Sequence, residues 1–390
     1  MGDEAALPGI APRGYRLRLP GPTEVPERVR LATARIVVNH RGPEFRAALA
    51  RTEELLQPVV GTRNRVLFFA SSGSGAMEAA MVNIAAPGAR LLVVAHGQFG
   101  ERFATIGKAI GAEVDVLEVP WGEGVDLATL EARLRETSYR AVVVVHNESS
   151  TGIVSDLAGI GSLVRDTPTL LVVDSVSGLG GVEMRQDEWG VDVLVSASQK
   201  ALMCPPGLAL ASVSPKAWAV IDRDEGRRAF YWDFRRARDA AEKGETAFTA
   251  AVSLVSGLRE ALEMIHEEGL ANVLARHSRL SAALRAGGKG LGLEEFGSDA
   301  RRSSTVVVFK APDGIEGGAI VRDMYERHRT VIAGARNRLQ GKVIRLGTMG
   351  SFDVGTILTD LVHLEETLTR LGHPVVPGAA LAAAVASLGQ

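Results

Sequence analysis

Two side chains of opposite charge stand beside two apolar segments in the middle of the sequence. Asp174 ends the run LLVVD, and Lys200 follows three residues after the run DVLVSA. Buried strands normally exclude charge, because an ionised side chain loses its contact with water there. A carboxylate and an amine at the ends of such strands are therefore candidates for chemistry on a bound molecule.

Polar residues follow five of the apolar runs in the same way. In an open α/β sheet, ligands bind outside the carboxyl ends of the strands. Glycine and serine are also common in turns, and the chain must turn where a strand ends. Any one of these segments could therefore be an ordinary turn. Their recurrence at one edge of a predicted sheet favours a functional site. The five segments are FFASSGSGAME, AHGQFGER, VHNESSTG, VVDSVSG and VSASQKAL.

The first of these segments has the composition of an anion-binding turn. In SSGSGAMEAA, backbone amides of Gly73, Ser74 and Gly75 can approach an anion closely, and the helix that follows adds the positive end of its dipole. An ordinary helix N-cap explains the same residues equally well. The segment lacks the Gly-Lys-Ser/Thr ending of a P-loop and is not a full dinucleotide fingerprint. Phosphate binding and simple capping both remain open on this stretch.

Apolar runs alternate with helical patterns along most of the chain, which indicates an α/β fold with a parallel sheet wrapped by helices. A helix predicted over about 249–268 leads into a second region with a helix near 270–286 and two further strands. We expect a smaller domain there. The predicted strands are RVLFFA (65–70), RLLVVAH (90–96), RAVVVVHN (140–147), LLVVD (170–174), DVLVSA (192–197), LALASVS (208–214), STVVVFKAP (304–312) and KVIRLGTMG (342–350).

Composition excludes several classes of protein. The 390 residues suffice for two domains, and 44 lysines and arginines nearly balance 46 aspartates and glutamates. No excess charge therefore recruits nucleic acid or a membrane surface, and no apolar run reaches the roughly 20 residues of a membrane span. The single cysteine, Cys204, excludes an intrachain disulfide framework and argues against a structural metal cluster. We expect a cytoplasmic protein that acts on small molecules and holds no metal.

Taken together, these segments resemble the class V aminotransferases of the fold type I pyridoxal phosphate enzymes, especially the alanine– and serine–glyoxylate (pyruvate) aminotransferases. The resemblance implies a large domain with a mostly parallel seven-stranded sheet and a smaller C-terminal α/β domain. The predicted units are an N-terminal arm (1–20), a large cofactor-binding domain (21–265), a small domain (266–375) and an alanine-rich tail (376–390). The matching segments are LPGPTEVPERV, NHRGPEFRAAL, HNESSTGI, VDSVSGLGG, SASQKALMCPPGLA and GKVIRLGTMG.

The resemblance also assigns roles to the two charged residues. It implies that Lys200 forms the internal aldimine with pyridoxal 5′-phosphate and, once substrate displaces it, moves the proton between the substrate α-carbon and cofactor C4′. Such a lysine must lose its proton near neutral pH, which burial and a nearby cation favour. Asp174 is expected to face the pyridine nitrogen and keep it protonated, which makes the ring a better electron sink.

Further roles follow from the resemblance position by position. Phe99 is expected to stack on one face of the cofactor ring and Val176 to contact the other. Ser149 is expected at the 3′ oxygen, and Gly73, Ser74, Gly75 and Gln199 at the phosphate. Thr249 would reach the phosphate from the partner subunit of a homodimer, whose active site would span the interface. Arg345 would bind the α-carboxylate of an amino or 2-oxo acid through its guanidinium fork.

The function predicted on this basis is transfer of an amino group from a small L-amino acid, alanine or serine, to glyoxylate or pyruvate. Two alternatives remain open: a pyridoxal phosphate lyase of the same fold, and a non-catalytic binding protein that kept the fold. A cysteine desulfurase is disfavoured because Cys204, four residues after Lys200, is poorly placed for a mobile nucleophile. An NAD-dependent enzyme is disfavoured because no G-x-G-x-x-G opens the first helix.

Overall fold

The computed structural model describes residues 14–86, 88–224 and 229–389. Strands and helices alternate through the first two thirds of the chain, and helices dominate the last third. The strands are β1 (Arg16–Leu17), β2 (Val66–Ser71), β3 (Arg90–Ala95), β4 (Glu113–Glu118), β5 (Ala141–Val145), β6 (Asn147–Glu148), β7 (Ile153–Val154), β8 (Leu170–Asp174), β9 (Val193–Ala197), β10 (Gly207–Val213), β11 (Val306–Lys310), β12 (Thr330–Val331), β13 (Ala333–Gly334) and β14 (Val343–Gly347).

The helices cover both faces of the large sheet and build most of the C-terminal region. Two short 3-10 helices, 299–301 and 337–339, lie among them. The α-helices are α1 (Glu27–Thr33), α2 (Pro43–Val60), α3 (Gly73–Ile84), α4 (Gln98–Ala109), α5 (Leu127–Glu136), α6 (Leu157–Val164), α7 (Gln186–Trp189), α8 (Pro215–Arg223), α9 (Phe234–Ala241), α10 (Val252–Glu268), α11 (Leu270–Gly290), α12 (Gly317–His328), α13 (Val354–Arg370) and α14 (Ala379–Leu388).

Seven strands form the central sheet in the order β2-β10-β9-β8-β5-β3-β4. All neighbours are parallel except β10, which runs antiparallel to both β2 and β9. Alternate residues of β5 show why the central strands are continuously apolar: Val142 and Val144 pack into the core on one face, and Val143 and Val145 into the core on the other. Both faces are covered by helices, so every residue of β5 is buried.

A second core lies in the C-terminal region. There β11, β14 and β13 form a three-stranded antiparallel sheet, and helices α11 to α14 contribute residues such as Leu284, Ile320 and Leu361 to one apolar cluster. The N-terminal segment joins this region, since β1 pairs with β12 in parallel. In the part of the chain that is described, no helix is long and apolar enough to cross a membrane.

The α/β class predicted from the sequence is confirmed, with a mostly parallel seven-stranded sheet at its centre. Strand β4 was not among the predicted strands, because three of the six residues of its sequence EVDVLE are charged and none is fully buried. The predicted tail contains helix α14, which packs on α11. The domain boundaries stay a prediction, and residues 1–13 of the predicted arm lie outside the described residues.

Candidate active site

One cavity of about 250 Å³ lies at the carboxyl ends of the central strands. Its volume is close to the lower end of the range of roughly 300–1,000 Å³ typical of small-molecule sites. The polar residues that follow β2, β3, β5, β8 and β9 all contribute to it, as the sequence predicts for a site at this edge. The cavity is lined by Gly21, Pro22, Ser72, Gly73, Ser74, Met77, Phe99, Arg102, Asn147, Ser149, Asp174, Val176, Ser177, Gln199, Lys200 and Pro206.

Asp174 and Lys200 both line this cavity and both are buried. Asp174 is the last residue of β8, and its Oδ1 accepts a hydrogen bond from the Val176 amide at 2.7 Å. Lys200 lies in the turn after β9, and its Nζ donates to the Pro20 carbonyl oxygen. Within the described residues, neither side chain has an ion-pair partner within 4.0 Å. Two buried charges therefore face a cavity without neutralising each other directly.

Burial changes the acidity of both groups in the direction that favours their neutral forms. It raises the pKa of the Asp174 carboxyl to about 6. Burial, and next the positive charge of Arg345, lower the pKa of the Lys200 amine to about 8, while Asp174 opposes this shift. At pH 7 Asp174 is therefore mostly ionised, and about a tenth of the Lys200 amine is already neutral.

The backbone around Lys200 leaves no space for additional side chains. Gly21 has a φ of 112°, and a Cβ atom there would lie 2.2 Å from the Lys200 side chain. The Thr23 amide donates to the Gln199 carbonyl oxygen at 3.0 Å, which fixes the N-terminal segment against the lysine turn. A glycine is required at position 21 because the chain passes this close to the amine in a left-handed conformation.

The first turn of α3 forms one end of the cavity. Ser72 is the N-cap residue, but no side chain caps the amides of this turn. A Cβ at Gly73 would lie 2.9 Å from Val176, so only glycine lets the turn approach the cavity so closely. Gly75 does not line the cavity; a Cβ there would overlap Ser71 and Trp232, which indicates a packing role. The structure thus brings Gly73 and Ser74 to the cavity and leaves Gly75 behind them.

Phe99 reaches the cavity because α4 begins beside β5. The amides of Phe99 and Gly100 donate to Glu148 Oε2 at 2.9 and 3.2 Å, and the Gln98 amide donates to Ser150 Oγ at 2.9 Å. Glu148 is fully buried. A side chain distant in sequence therefore caps the first turn of α4, a function usually supplied by the N-cap residue itself. This cap holds Phe99 at the cavity wall. Phe99 is the only aromatic residue among those described that line the cavity.

Besides Gly75, two further predicted site residues, Arg345 and Thr249, do not line the cavity. Arg345, on β14, donates from Nε and Nη2 to the Gly334 carbonyl oxygen and from Nη1 to the Ser149 carbonyl oxygen, at 2.7 to 3.0 Å. Ser149 itself lines the cavity, so the guanidinium lies directly behind its wall. Thr249 is exposed and lies in a separate recess with Tyr231 and Phe248, whose rings stack 4.9 Å apart.

The lining residues that were not predicted from the sequence include three polar ones that bear on the site: Asn147, Arg102 and Ser177. The Asn147 amide nitrogen donates to Ser177 Oγ and Thr305 Oγ1, which joins the cavity wall to the C-terminal region. Asn147 belongs to the same HNESSTG segment as Ser149, so the segment itself was the available signal. Arg102 lies three residues after Phe99, one helical turn further along α4, and this spacing could have identified it.

The residues fit a flat ring with a phosphate. Two buried acceptor atoms, Asn147 Oδ1 and Gln199 Oε1, have no hydrogen-bond partner among the described residues, although both side chains line the cavity. Buried polar atoms are normally satisfied, so these atoms are suited to donors of a bound molecule or water. The uncapped first turn of α3 suits a phosphate. Phe99 and Val176 supply the apolar surfaces that a ring requires.

Comparison with known proteins identifies the family of the chain. The sequence model of the aminotransferase class-V family matches residues 28–337. A relative from Synechococcus sp., named the small subunit of a soluble hydrogenase, is 38% identical over 94% of this chain and 97% of its own. Serine–glyoxylate aminotransferase of Arabidopsis thaliana is 34% identical over 96% and 95%. The crystal structure of ureidoglycine–glyoxylate aminotransferase from Bacillus subtilis has a TM-score of 0.93 and 31% identity, over 96% and 98% of the two chains.

The fold and the cavity define an α/β enzyme with a small-molecule site built around a buried lysine and a buried aspartate. The chain belongs to the class-V aminotransferases, and its cofactor is pyridoxal 5′-phosphate. The resemblance drawn from the sequence is therefore confirmed at the level of family, reaction class and cofactor.

Proposed function

We propose that this enzyme transfers the amino group of a small L-amino acid, serine or alanine, to glyoxylate or pyruvate. The observation that carries the proposal is the presence of Asp174 and Lys200 on one cavity, each buried and without an ion-pair partner among the described residues. The names of the Arabidopsis and Bacillus relatives support glyoxylate as the acceptor, although their amino donors differ.

Lys200 is the proposed catalytic amine. When bound, pyridoxal phosphate supplies the electron sink that stabilises charge at the substrate α-carbon. Lys200 Nζ would hold the resting cofactor and, once substrate has displaced it, would move the proton from the substrate α-carbon to cofactor C4′. A pKa of about 8 suits both tasks, because the amine can gain and lose a proton near neutral pH.

Asp174 is proposed to hold a proton on the ring nitrogen of the cofactor. Its carboxyl is mostly ionised at pH 7 because its pKa is about 6. The Val176 amide fixes one carboxylate oxygen, and Val176 itself lines the cavity as an apolar surface for the ring. The same short segment thus sets both the charge at the nitrogen and the contact with one ring face, while Phe99 contacts the other.

The remaining polar groups are proposed to bind the two anionic ends. Gly73, Ser74 and Gln199 hold the cofactor phosphate, and Ser149 holds the 3′ oxygen. Arg345 binds the substrate carboxylate: of its five N–H donors, three bond to the Gly334 and Ser149 carbonyl oxygens, so two remain for a substrate. Its position behind Ser149 requires the side chain or the wall to shift when substrate binds.

The proposed assembly is a homodimer in which Thr249 completes the phosphate site of the partner. Thr249 is exposed, and beside it the Phe230 ring packs on Phe248 with 70% of Phe230 exposed. Ile36, after α1, is 91% exposed. Exposed and partly exposed apolar residues that contact one another, as Phe230 and Phe248 do, are typical of interaction surfaces. We further propose a cytoplasmic location, since the only cysteine is a free thiol that a reducing compartment maintains.

A lyase reaction and a non-catalytic role are the alternatives. Burial raises the pKa of the Cys204 thiol to about 12, so the thiol stays protonated and a desulfurase that uses it receives no support. Other lyases use the same lysine and cofactor, and only the products distinguish them from an aminotransferase.

The test is a half-reaction followed by visible absorbance. Purified enzyme loaded with pyridoxal phosphate is expected to be yellow and to lose the colour when L-serine or L-alanine is added without an oxo acid. Glyoxylate or pyruvate then restores the colour. Lys200→Ala is the matched control, since the variant should fold normally and lose turnover by about 10⁴-fold or more.

Each competing function gives a different result in the same assay. A lyase releases ammonia or a side-chain fragment without an acceptor, and the colour persists through turnover. A binding protein takes up no pyridoxal phosphate or does not respond to any amino donor. Either result would overturn the proposal, and a panel of donors that includes L-aspartate would identify the preferred substrate.

A further inference from the structure

Arg102 is a cation at the cavity that has no role in the proposal above. It lies on α4 and lines the cavity. Its Nη1 donates to Ser74 Oγ at 2.9 Å, and its guanidinium carbon lies 4.6 Å from the centre of the Phe99 ring. Within the described residues, no carboxylate lies within 4.0 Å of it. Arg102 is therefore held in place by a neutral hydroxyl and a ring.

The carboxylate next to Arg102 in sequence does not neutralise it. Glu101, adjacent on α4, forms an ion pair with Arg338 at 2.8 Å. That carboxylate therefore points to another part of the molecule. The charged residues that line the cavity are Arg102, Lys200 and Asp174, so their charges sum to an excess of one positive charge. A cavity with this excess attracts an anion.

We propose that Arg102 binds the phosphate group of pyridoxal phosphate, together with the first turn of α3. The proposal rests on the placement of the phosphate at that turn given under the proposed function. A phosphate ester carries about −1.5 to −2 charges at pH 7. The other proposed phosphate ligands, Gly73, Ser74 and Gln199, are neutral, and Arg102 supplies the charge that they lack.

The contact with Ser74 supports this role. Because Ser74 Oγ accepts the hydrogen bond from Arg102, its own hydroxyl proton is free to be donated elsewhere. Arg102 thus orients the hydroxyl of a second phosphate ligand. The Phe99 ring supports the guanidinium from one side, and the same helix then presents a ring contact and a phosphate contact one turn apart.

A purely structural role is the competing explanation. Arg102 would then only hold Phe99 in place by the cation–π contact, whose strength is comparable to a weak hydrogen bond. The two roles differ in their dependence on the phosphate. Loss of a phosphate contact weakens the binding of pyridoxal phosphate but not that of pyridoxal, which lacks the phosphate. A displaced Phe99 ring weakens the binding of both ligands by the same factor.

The experiment is a titration of the apoenzyme with pyridoxal phosphate and with pyridoxal, followed by absorbance. Arg102→Met keeps the length and apolar contact of the side chain and removes its charge. We expect its affinity for pyridoxal phosphate to fall about 10- to 100-fold and its affinity for pyridoxal by less than about threefold. Arg102→Lys should recover part of the loss. Arg135→Met, at an exposed residue of α5 that pairs with Glu131, is the control and should change neither affinity.

The outcomes separate this proposal from the function itself. An equal loss for both ligands, or no loss, in folded Arg102→Met would overturn the role of Arg102 and leave transamination untouched. Wild-type enzyme that binds both ligands equally well would overturn the phosphate site as a whole. The pattern expected above supports Arg102 even in an enzyme that proves to be a lyase. Far-ultraviolet circular dichroism establishes that each variant is folded.

Discussion

Buried charge occurs in two regions of this protein, and the regions treat it differently. In the C-terminal region, Arg18 and Asp360 are fully buried and joined by a bond of 2.6 Å between Nε and Oδ2. Arg16 also donates to Asp360, at 3.3 Å. At the cavity, Asp174 and Lys200 are buried as well, but among the described residues neither has an ion-pair partner.

The difference indicates what each set of charges is for. Arg18 also donates to the Gly347 carbonyl oxygen, and its own carbonyl accepts from the Gly347 amide, so the pair fixes the N-terminal segment to β14 and α13. Charge that is paired internally in this way serves architecture. Charge that faces a cavity without a partner destabilises the empty protein and is available to a ligand.

Breaking the paired charge should have the largest effect on stability. Asp360→Asn leaves the Arg18 guanidinium buried without its counter-charge, and we expect the free energy of unfolding to fall by about 3–5 kcal/mol. Urea denaturation of the apoenzyme at pH 7.5 measures this. A loss below about 1 kcal/mol would mean that the pair is not needed for the fold.

A double variant provides the control. Arg18→Met with Asp360→Asn removes both charges, so most of the lost stability should return. If the double variant is as unstable as the sum of the single variants, the loss comes from packing around Phe352, over which the Arg18 guanidinium lies at 3.4 Å, and not from charge.

Removing an unpaired charge should instead stabilise the apoenzyme. The pKa of Asp174 rises to about 6 on folding from an ordinary value of 3.8, so the folded state binds this proton more tightly than the unfolded state. The contribution of Asp174 to the free energy of unfolding is therefore fully present below about pH 4 and is lost as the pH rises through about 6. Asp174→Asn avoids that loss, and we expect a gain of up to about 3 kcal/mol at pH 8 and almost none at pH 4.

The same variant should lose catalysis, because an amide does not hold the proton on the ring nitrogen. Denaturation at both pH values and the serine half-reaction measure the two effects. Equal stability changes at pH 4 and pH 8 would show that the carboxyl charge is not the cause. A stable and fully active variant would remove Asp174 from the proposed mechanism.

The contrast also explains which features the sequence predicts. Asp174, Lys200, Phe99, Ser149 and Gln199 stand in short segments that end strands, so local pattern is sufficient to place them at the cavity. The resemblance to the family assigns their roles, which are still to be tested. The parallel sheet is likewise predicted by local apolar runs, except at β4, an edge strand that is only partly buried and whose apolar pattern is weak.

Features that depend on residues distant in sequence were not predicted. Arg18 and Asp360 are 342 positions apart, and each alone has the pattern of an exposed charge. Glu148 caps a helix that begins 50 residues before it, and nothing near Glu148 indicates the partner. Arg345 was predicted as a ligand, but its contacts with the Gly334 and Ser149 carbonyl oxygens appear only when the strands are assembled.

The smallest predicted effect concerns how Arg345 tunes the lysine. Because only the neutral amine attacks the aldehyde, capture of pyridoxal phosphate by the apoenzyme should accelerate with pH and reach half its maximum near the Lys200 pKa of about 8. The positive charge of Arg345 lowers that pKa, so Arg345→Met should move the midpoint upward by less than about one pH unit.

Stopped-flow absorbance at a series of pH values measures the midpoint in each variant. Arg336→Met is the matched control, since Arg336 is among the charges that lower the pKa of Arg345 but is not among the main charges that shift the pKa of Lys200. A midpoint that stays fixed or falls in Arg345→Met, or that moves equally in Arg336→Met, would contradict an electrostatic link between the two residues. An upward shift confined to Arg345→Met would mean that the residue proposed to bind the substrate carboxylate also keeps the pKa of the Lys200 amine low. A substrate carboxylate that binds and neutralises Arg345 would then raise the pKa of Lys200.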